Sequence, residues 1–115
     1  MSVKHINEMK EVVYNSNGAQ AVHKKSMIGP WNGWEDYVMR FFEIEPGGYT
    51  PKHQHPWPQY MFVMEGDGLI DWGEQEEKLQ FGHSIVVPDN ALHQIKNVGD
   101  RPLRFICVVP PRGDL

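Results

Sequence analysis

The chain has 115 residues, a single cysteine and a net charge of −4, from 11 basic and 15 acidic side chains. That length suits one packed core, and an acidic chain with no basic run longer than Lys24-Lys25 excludes a phosphate-backbone binder, so no nucleic-acid partner is expected. Cys107 has no partner for a disulfide, and Met1 to Lys10 shows neither a leader pattern nor a membrane-spanning stretch. The expectation is a cytoplasmic protein with no membrane partner. A domain of this size buries roughly two thirds of the surface its unfolded chain exposes, so it folds without a metal staple and any bound metal serves function.

In chain order, His5 to Val13 has scattered apolar positions and reads as an extended arm or one helical turn. Ala19 to Ile28 reads as a strand, and Gly29-Pro30-Trp31-Asn32-Gly33 as a loop. Asp36 to Ile44 is rich in aromatic and β-branched residues and is expected to end at Pro46-Gly47-Gly48. One of its faces carries Val38, Arg40, Phe42 and Ile44, the other Tyr37, Met39, Phe41 and Glu43. Both are largely apolar, so one is expected to line a core and the other to meet a second sheet or subunit. Further strands are expected at Lys52 to His55, Gln59 to Glu65, Gly68 to Trp72, Glu76 to Gln80, Ser84 to Val87, His93 to Asn97 and Leu103 to Val109. Short strands joined by tight turns predict an all-β sandwich or small barrel.

The chemistry gathers around His53 and His55. Alternation along an extended segment puts both imidazoles on one face, so two nitrogen donors converge. Gln59 follows the rigid Pro56-Trp57-Pro58 corner and offers an amide oxygen to the same point, and a closed barrel can bring in His93 from far along the chain. His5, His23 and His83 have no partner at ligand spacing and read as surface or hydrogen-bonded residues.

Two runs carry a family resemblance. Gly47, five residues, His53, one residue, His55, three residues, Gln59, six residues and Gly66 resembles the first motif of the cupin superfamily, which has Glu where this chain has Gln59. Gly82, five residues, Pro88, one residue, Asn90, two residues, His93, three residues and Asn97 resembles the second, with Asn90 in place of a glycine. Asn tolerates the positive backbone angles such a turn needs.

The resemblance covers about residues 19–109, with an arm over 1–18, in a single domain spanning 1–115. It implies a jelly-roll β-barrel of the cupin type that holds one divalent transition metal ion (Mn, Fe, Ni, Cu or Zn) through His53, His55, Gln59 and His93. It also implies a homodimer built through sheet contacts.

Three further residues are candidates for a catalytic role. Arg40, among apolar neighbours, is either paired with a carboxylate such as Glu43 or Glu45 or acts as an anion clamp near the metal. Cys107 is either inert packing or reactive. Tyr60 flanks the ligand corner, as does Trp57, and is either a packing residue or a proton carrier. Three neutral histidines and a weak fourth donor leave coordination positions for a small-molecule substrate, dioxygen or water. The leading expectation is a dioxygenase-type oxidoreductase acting on a small oxygen-containing molecule in a cavity lined by Phe42, Ile95 and Phe105. The alternatives are a non-catalytic binding module for a carboxylate or sugar, and a non-redox metal-dependent isomerase or lyase.

Overall fold

A computed structural model describes all 115 residues. Nine antiparallel strands form one strongly curled sheet: β1 (Val12–Tyr14), β2 (Gln20–Ile28), β3 (Val38–Tyr49), β4 (Gln59–Glu65), β5 (Gly68–Asp71), β6 (Glu76–Leu79), β7 (Ser84–Val87), β8 (Gln94–Asn97) and β9 (Leu103–Val109). The main path runs β6-β5-β8-β3-β9-β4-β7, and β2, flanked by β1, adds to β3. The expected all-β single-domain barrel is the fold observed. No helix is long and apolar enough to cross a membrane.

Period-two alternation decides what enters the core. Val38, Arg40, Phe42 and Ile44 of β3 are buried, and the residues between them are only partly covered. β9 repeats the pattern with Leu103, Phe105, Cys107 and Val109, and the two strands pair in register from Val38↔Val109 to Ile44↔Leu103. With Met61 and Val63 of β4, these positions contribute most of a 16-residue apolar core. Phe42 and Phe105 stack with ring centroids 5.1 Å apart.

Two strand expectations need correction. Lys52 to His55 is not a strand and makes only one isolated bridge, His53 with His93. Pro51 and Pro56 bracket the segment and supply no N–H for a ladder. Conversely, β3 does not end at Pro46-Gly47-Gly48 but runs on to Tyr49. The register there jumps from Val22↔Ile44 to Gln20↔Tyr49, so the Pro-Gly-Gly run bulges out opposite Ala21, which takes φ 53°. Gly48 is obligatory in that bulge, because a Cβ would lie 2.6 Å from the Gln20 carbonyl oxygen.

The arm that precedes β2 is tied to it by β1 and by His23 on the outer face. The His23 ring lies 2.6 Å from Glu45 Oε2 and 2.9 Å from Glu11 Oε1, and the hydrogen bond to Glu45, then that to Glu11, raises its pKa above the usual 6.5. A folded-state pKa above the unfolded value gives stability that is complete below the unfolded pKa and is lost as pH rises through the folded one. Because both glutamates are exposed, the effect is expected to stay below about 1 kcal/mol. Urea unfolding between about pH 5.5 and about pH 8.5 should show the wild type losing stability, relative to His23→Gln, as pH rises. Parallel profiles would contradict this assignment.

Candidate metal centre

Backbone pairing brings the two halves of the site together. His53 N–H donates to the His93 carbonyl at 3.1 Å and His93 N–H donates back to the His53 carbonyl at 3.0 Å. Asn90 N–H donates to the His55 carbonyl at 2.7 Å, and Asn90 takes φ 64°, the positive angle expected at this position. The loop before β8 is thereby latched to the ligand corner. The three imidazoles then form a near-equilateral group, with ring centroids 4.9, 5.0 and 5.1 Å apart.

Neighbouring carbonyls set the ring orientations. His55 Nδ1 lies 2.8 Å from the Trp57 carbonyl oxygen and His93 Nδ1 lies 2.9 Å from that of Ala91. A neutral imidazole that donates through Nδ1 presents its Nε2 lone pair, the form in which it binds metal. Both Nε2 atoms face Gln59 Oε1, at 2.6 and 3.2 Å. In this orientation Gln59 Nε2 donates to Cys107 Sγ at 3.1 Å. A proton on Nε2 satisfies contacts of this length, and a metal ion can take its place: three imidazoles and an amide oxygen are a donor set that fits a metal.

His53, His55 and His93 offer ligand atoms that all lie within 4.8 Å of one another. Bonds of about 2.1 Å to one ion reach across at most about 4.2 Å, so a pair at the 4.8 Å limit closes by at least about 0.6 Å on binding. His53 is neutral at ordinary pH, with its lone pair free for a metal: partial burial, then the neighbouring His93, His55 and Arg40, lower its pKa to about 4. Burial likewise lowers that of His93. The stacking of His55 on Trp57, at 4.5 Å between ring centroids, holds the His55 ring a second time.

These donors open into a cavity of about 590 Å³. Phe42, Ile95 and Phe105 line it as expected, and so do Arg40 and Gln59. Arg40 is buried, but its carboxylate neighbour is Asp114, at 3.9 Å, rather than Glu43 or Glu45. Glu43 lies on the opposite face of β3, where it pairs with Arg104 at 2.6 Å. Cys107 is fully buried between Arg40 Nη2 and Gln59 Nε2, each 3.1 Å from its sulfur.

Tyr60 is 43% exposed and does not line the cavity. Gln59 points inward, so its neighbour on β4 points out, away from the site. The remaining histidines lie elsewhere: His5 caps a short 3₁₀ turn, His23 holds its glutamates, and His83 accepts from the Gln80 N–H. Sequence reasoning passed over Lys24, which lines the cavity while only 5% exposed. The pattern Val22-Lys24-Ser26 on one face of β2 was its available signal.

Fold and site together define a single-domain all-β barrel with a histidine cluster that can hold a metal ion. Residues 40–109 match the Cupin domain family, and the chain belongs to that family. The polyketide cyclase RemF from Streptomyces resistomycificus superposes with a TM-score of 0.88 at 26% identity, over 96% of this chain and 79% of that one. A predicted oxalate decarboxylase from Thermotoga maritima superposes with a TM-score of 0.83 at 17% identity, over 95% of this chain and 98% of that one, a likeness of fold. Among curated relatives, 1-methylthio-D-xylulose 5-phosphate methylsulfurylase from Rhodospirillum rubrum is 25% identical over 66% of this chain. The chain spans only 23%, 55% and 49% of the lengths of three curated relatives it matches.

Proposed function

We propose that this protein is a metal-dependent enzyme that rearranges a small enolisable, oxygen-bearing molecule, by ring closure, isomerisation or elimination. The observation that carries the reading is the convergence of three imidazoles and the Gln59 amide oxygen in a cavity whose lining contains no Asp or Glu. A divalent transition ion held by His53, His55, His93 and Gln59 supplies a Lewis acid whose charge no carboxylate ligand offsets, which favours an enolate or other oxygen anion as its partner.

The chain's own residues bind, orient and exclude water. The Trp57 and Ala91 carbonyls keep two Nε2 lone pairs pointed at one place, and the stacked Phe42 and Phe105, with Ile95, provide a dry wall. Gln59 is an amide and moves no proton. With Tyr60 turned outward and no Asp or Glu side chain in the lining, proton transfer falls to the substrate's own oxygen, to solvent at the cavity mouth or to the Tyr14 hydroxyl that lines the cavity.

The resemblance to a polyketide cyclase supports placing non-redox chemistry ahead of dioxygen chemistry. A dioxygenase remains the second reading, favoured by the neutral donor set and the apolar wall. Oxygen separates the two. Metal-loaded protein, assayed against a panel of β-dicarbonyl and 2-oxo compounds, is expected to turn one of them over equally in air and under argon. Product formed only with matching oxygen uptake would transfer the assignment to dioxygenation. Tight binding without product across the panel would overturn an enzymatic role.

A further inference from the structure

The same cavity has a second polar pole, built from β2 and β3. Lys24 and Arg40 both point inward and are 5% and 6% exposed. Ser26 is the register partner of Arg40 and, like Asp114, lies behind the cavity lining rather than in it. The one Asp or Glu side chain near these two buried cations comes from the segment that follows β9. Asp114 Oδ1 lies 2.7 Å from Lys24 Nζ but 3.9 Å from Arg40 Nη1, and Asp114 Oδ2 accepts from Ser26 Oγ at 2.9 Å. Arg40 otherwise donates to the Gly113 carbonyl at 3.4 Å and to Cys107 Sγ at 3.1 Å, and its Nε is buried with no partner.

Lys24 and Arg40 thus have one carboxylate side chain between them, with the Leu115 main-chain oxygen also on Lys24 Nζ, and the Arg40 Nε donor is left unused. A buried charge without full compensation is costly, and so is a buried donor without an acceptor. Lys24, Arg40 and the metal-site histidines line one cavity, and no Asp or Glu side chain lines it with them. Cys107 Sγ, touched by both Arg40 Nη2 and Gln59 Nε2, links the cationic pole to the amide whose oxygen faces the histidines.

We propose that Lys24, Ser26 and Arg40 form a carboxylate-binding subsite, which Asp114 fills in the free protein and which the carboxylate of a ligand takes over. The resident group sets the ligand class, because a planar two-oxygen anion already spans Lys24 Nζ and Ser26 Oγ. Asp114 sits on a short tether. Gly113 packs so closely on Trp57 that a Cβ there would lie 2.6 Å from Nε1, and the Leu115 main-chain oxygen accepts from Tyr14 Oη at 2.8 Å and from Lys24 Nζ at 3.0 Å. A ligand that displaces Asp114 therefore also frees the segment covering this end of the cavity. As a statement about substrate, that the molecule acted on is a carboxylic acid, the inference rests on the metal-dependent reading above; as a statement about binding, it does not.

The test uses metal-free protein, so its failure is separable from failure of the metal reading. Sodium acetate is titrated at ionic strength held constant with sodium chloride, with inorganic phosphate as the comparison, and binding is read from the thermal midpoint and from chemical-shift changes. Wild type is expected to bind acetate weakly, and Asp114→Asn, which removes the competing carboxylate, at least tenfold more tightly. Adding Arg40→Met to Asp114→Asn should abolish the response, and Ser26→Ala in the wild-type background, which disturbs folding least, should weaken it several-fold. Acetate binding that Asp114→Asn does not tighten, a response that survives Arg40→Met, or a response to phosphate alone would each overturn the proposal.

Discussion

Replacing His53 and His93 with alanine is expected to abolish divalent-metal binding while leaving the barrel folded. The backbone bonds joining these residues, 3.1 and 3.0 Å long, use N–H and carbonyl groups that alanine retains, so the bridge between the two halves of the site survives. What disappears is two of the three imidazoles, leaving His55 and Gln59 to hold the ion. Removing a partner outside the ligand shell typically costs roughly 10–100-fold in metal affinity, and losing two ligands should exceed that range. Metal titration by calorimetry, with far-UV circular dichroism to confirm folding, checks both halves of the expectation. A folded variant that still binds one equivalent at wild-type affinity would contradict the ligand assignment.

Leu103→Ala is expected to be the most damaging single change in the core, lowering unfolding free energy by about 3–5 kcal/mol. Leu103 is fully buried and pairs in register with Ile44, itself fully buried. It also anchors the β4–β5 turn: a Cβ on Gly68 would lie 2.8 Å from Leu103 Cδ2, and one on Gly66 2.8 Å from Leu103 Cα. Backbone packed that tightly cannot collapse into the space a missing isobutyl group leaves, so the cavity persists. Against a total stability of about 5–15 kcal/mol, this is a large share. Urea unfolding measures it, and a loss below about 1 kcal/mol would show that the site relaxes.

Much of this fold is legible in the sequence because alternation and turn chemistry agree. β4, β7 and β9 fall where alternation between turn residues places them, over 59–65, 84–87 and 103–109. Agreement fails where a partner strand decides the outcome. The extension of β3 to Tyr49 depends on a bulge opposite Ala21, and nothing in Pro46-Gly47-Gly48 itself distinguishes a bulge from a turn. Lys52 to His55 has a strand's alternation, but its flanking prolines remove the donors a ladder would use.

The site divides in the same way. Two spaced motifs reveal His53, His55, Gln59 and His93, which the structure places within reach of one point. The outward position of Tyr60 was readable too, since it follows from Gln59 pointing in. Likewise, Glu43 could have been set aside as the partner of Arg40, because odd positions of β3 face away from it. The pairing of Lys24 and Arg40 with Asp114 was not readable. It joins positions 90 and 74 residues apart through a short segment with no periodicity to announce where it docks.

Elemental analysis of protein purified without added metal, followed by stoichiometric titration with manganese, iron, nickel, copper and zinc, tests the central claim most directly. The predicted result is a single site, filled as purified or fillable to one equivalent per chain, by at least one of these ions. Protein that is metal-free as purified and binds none of the five would contradict a metal centre at His53, His55, Gln59 and His93.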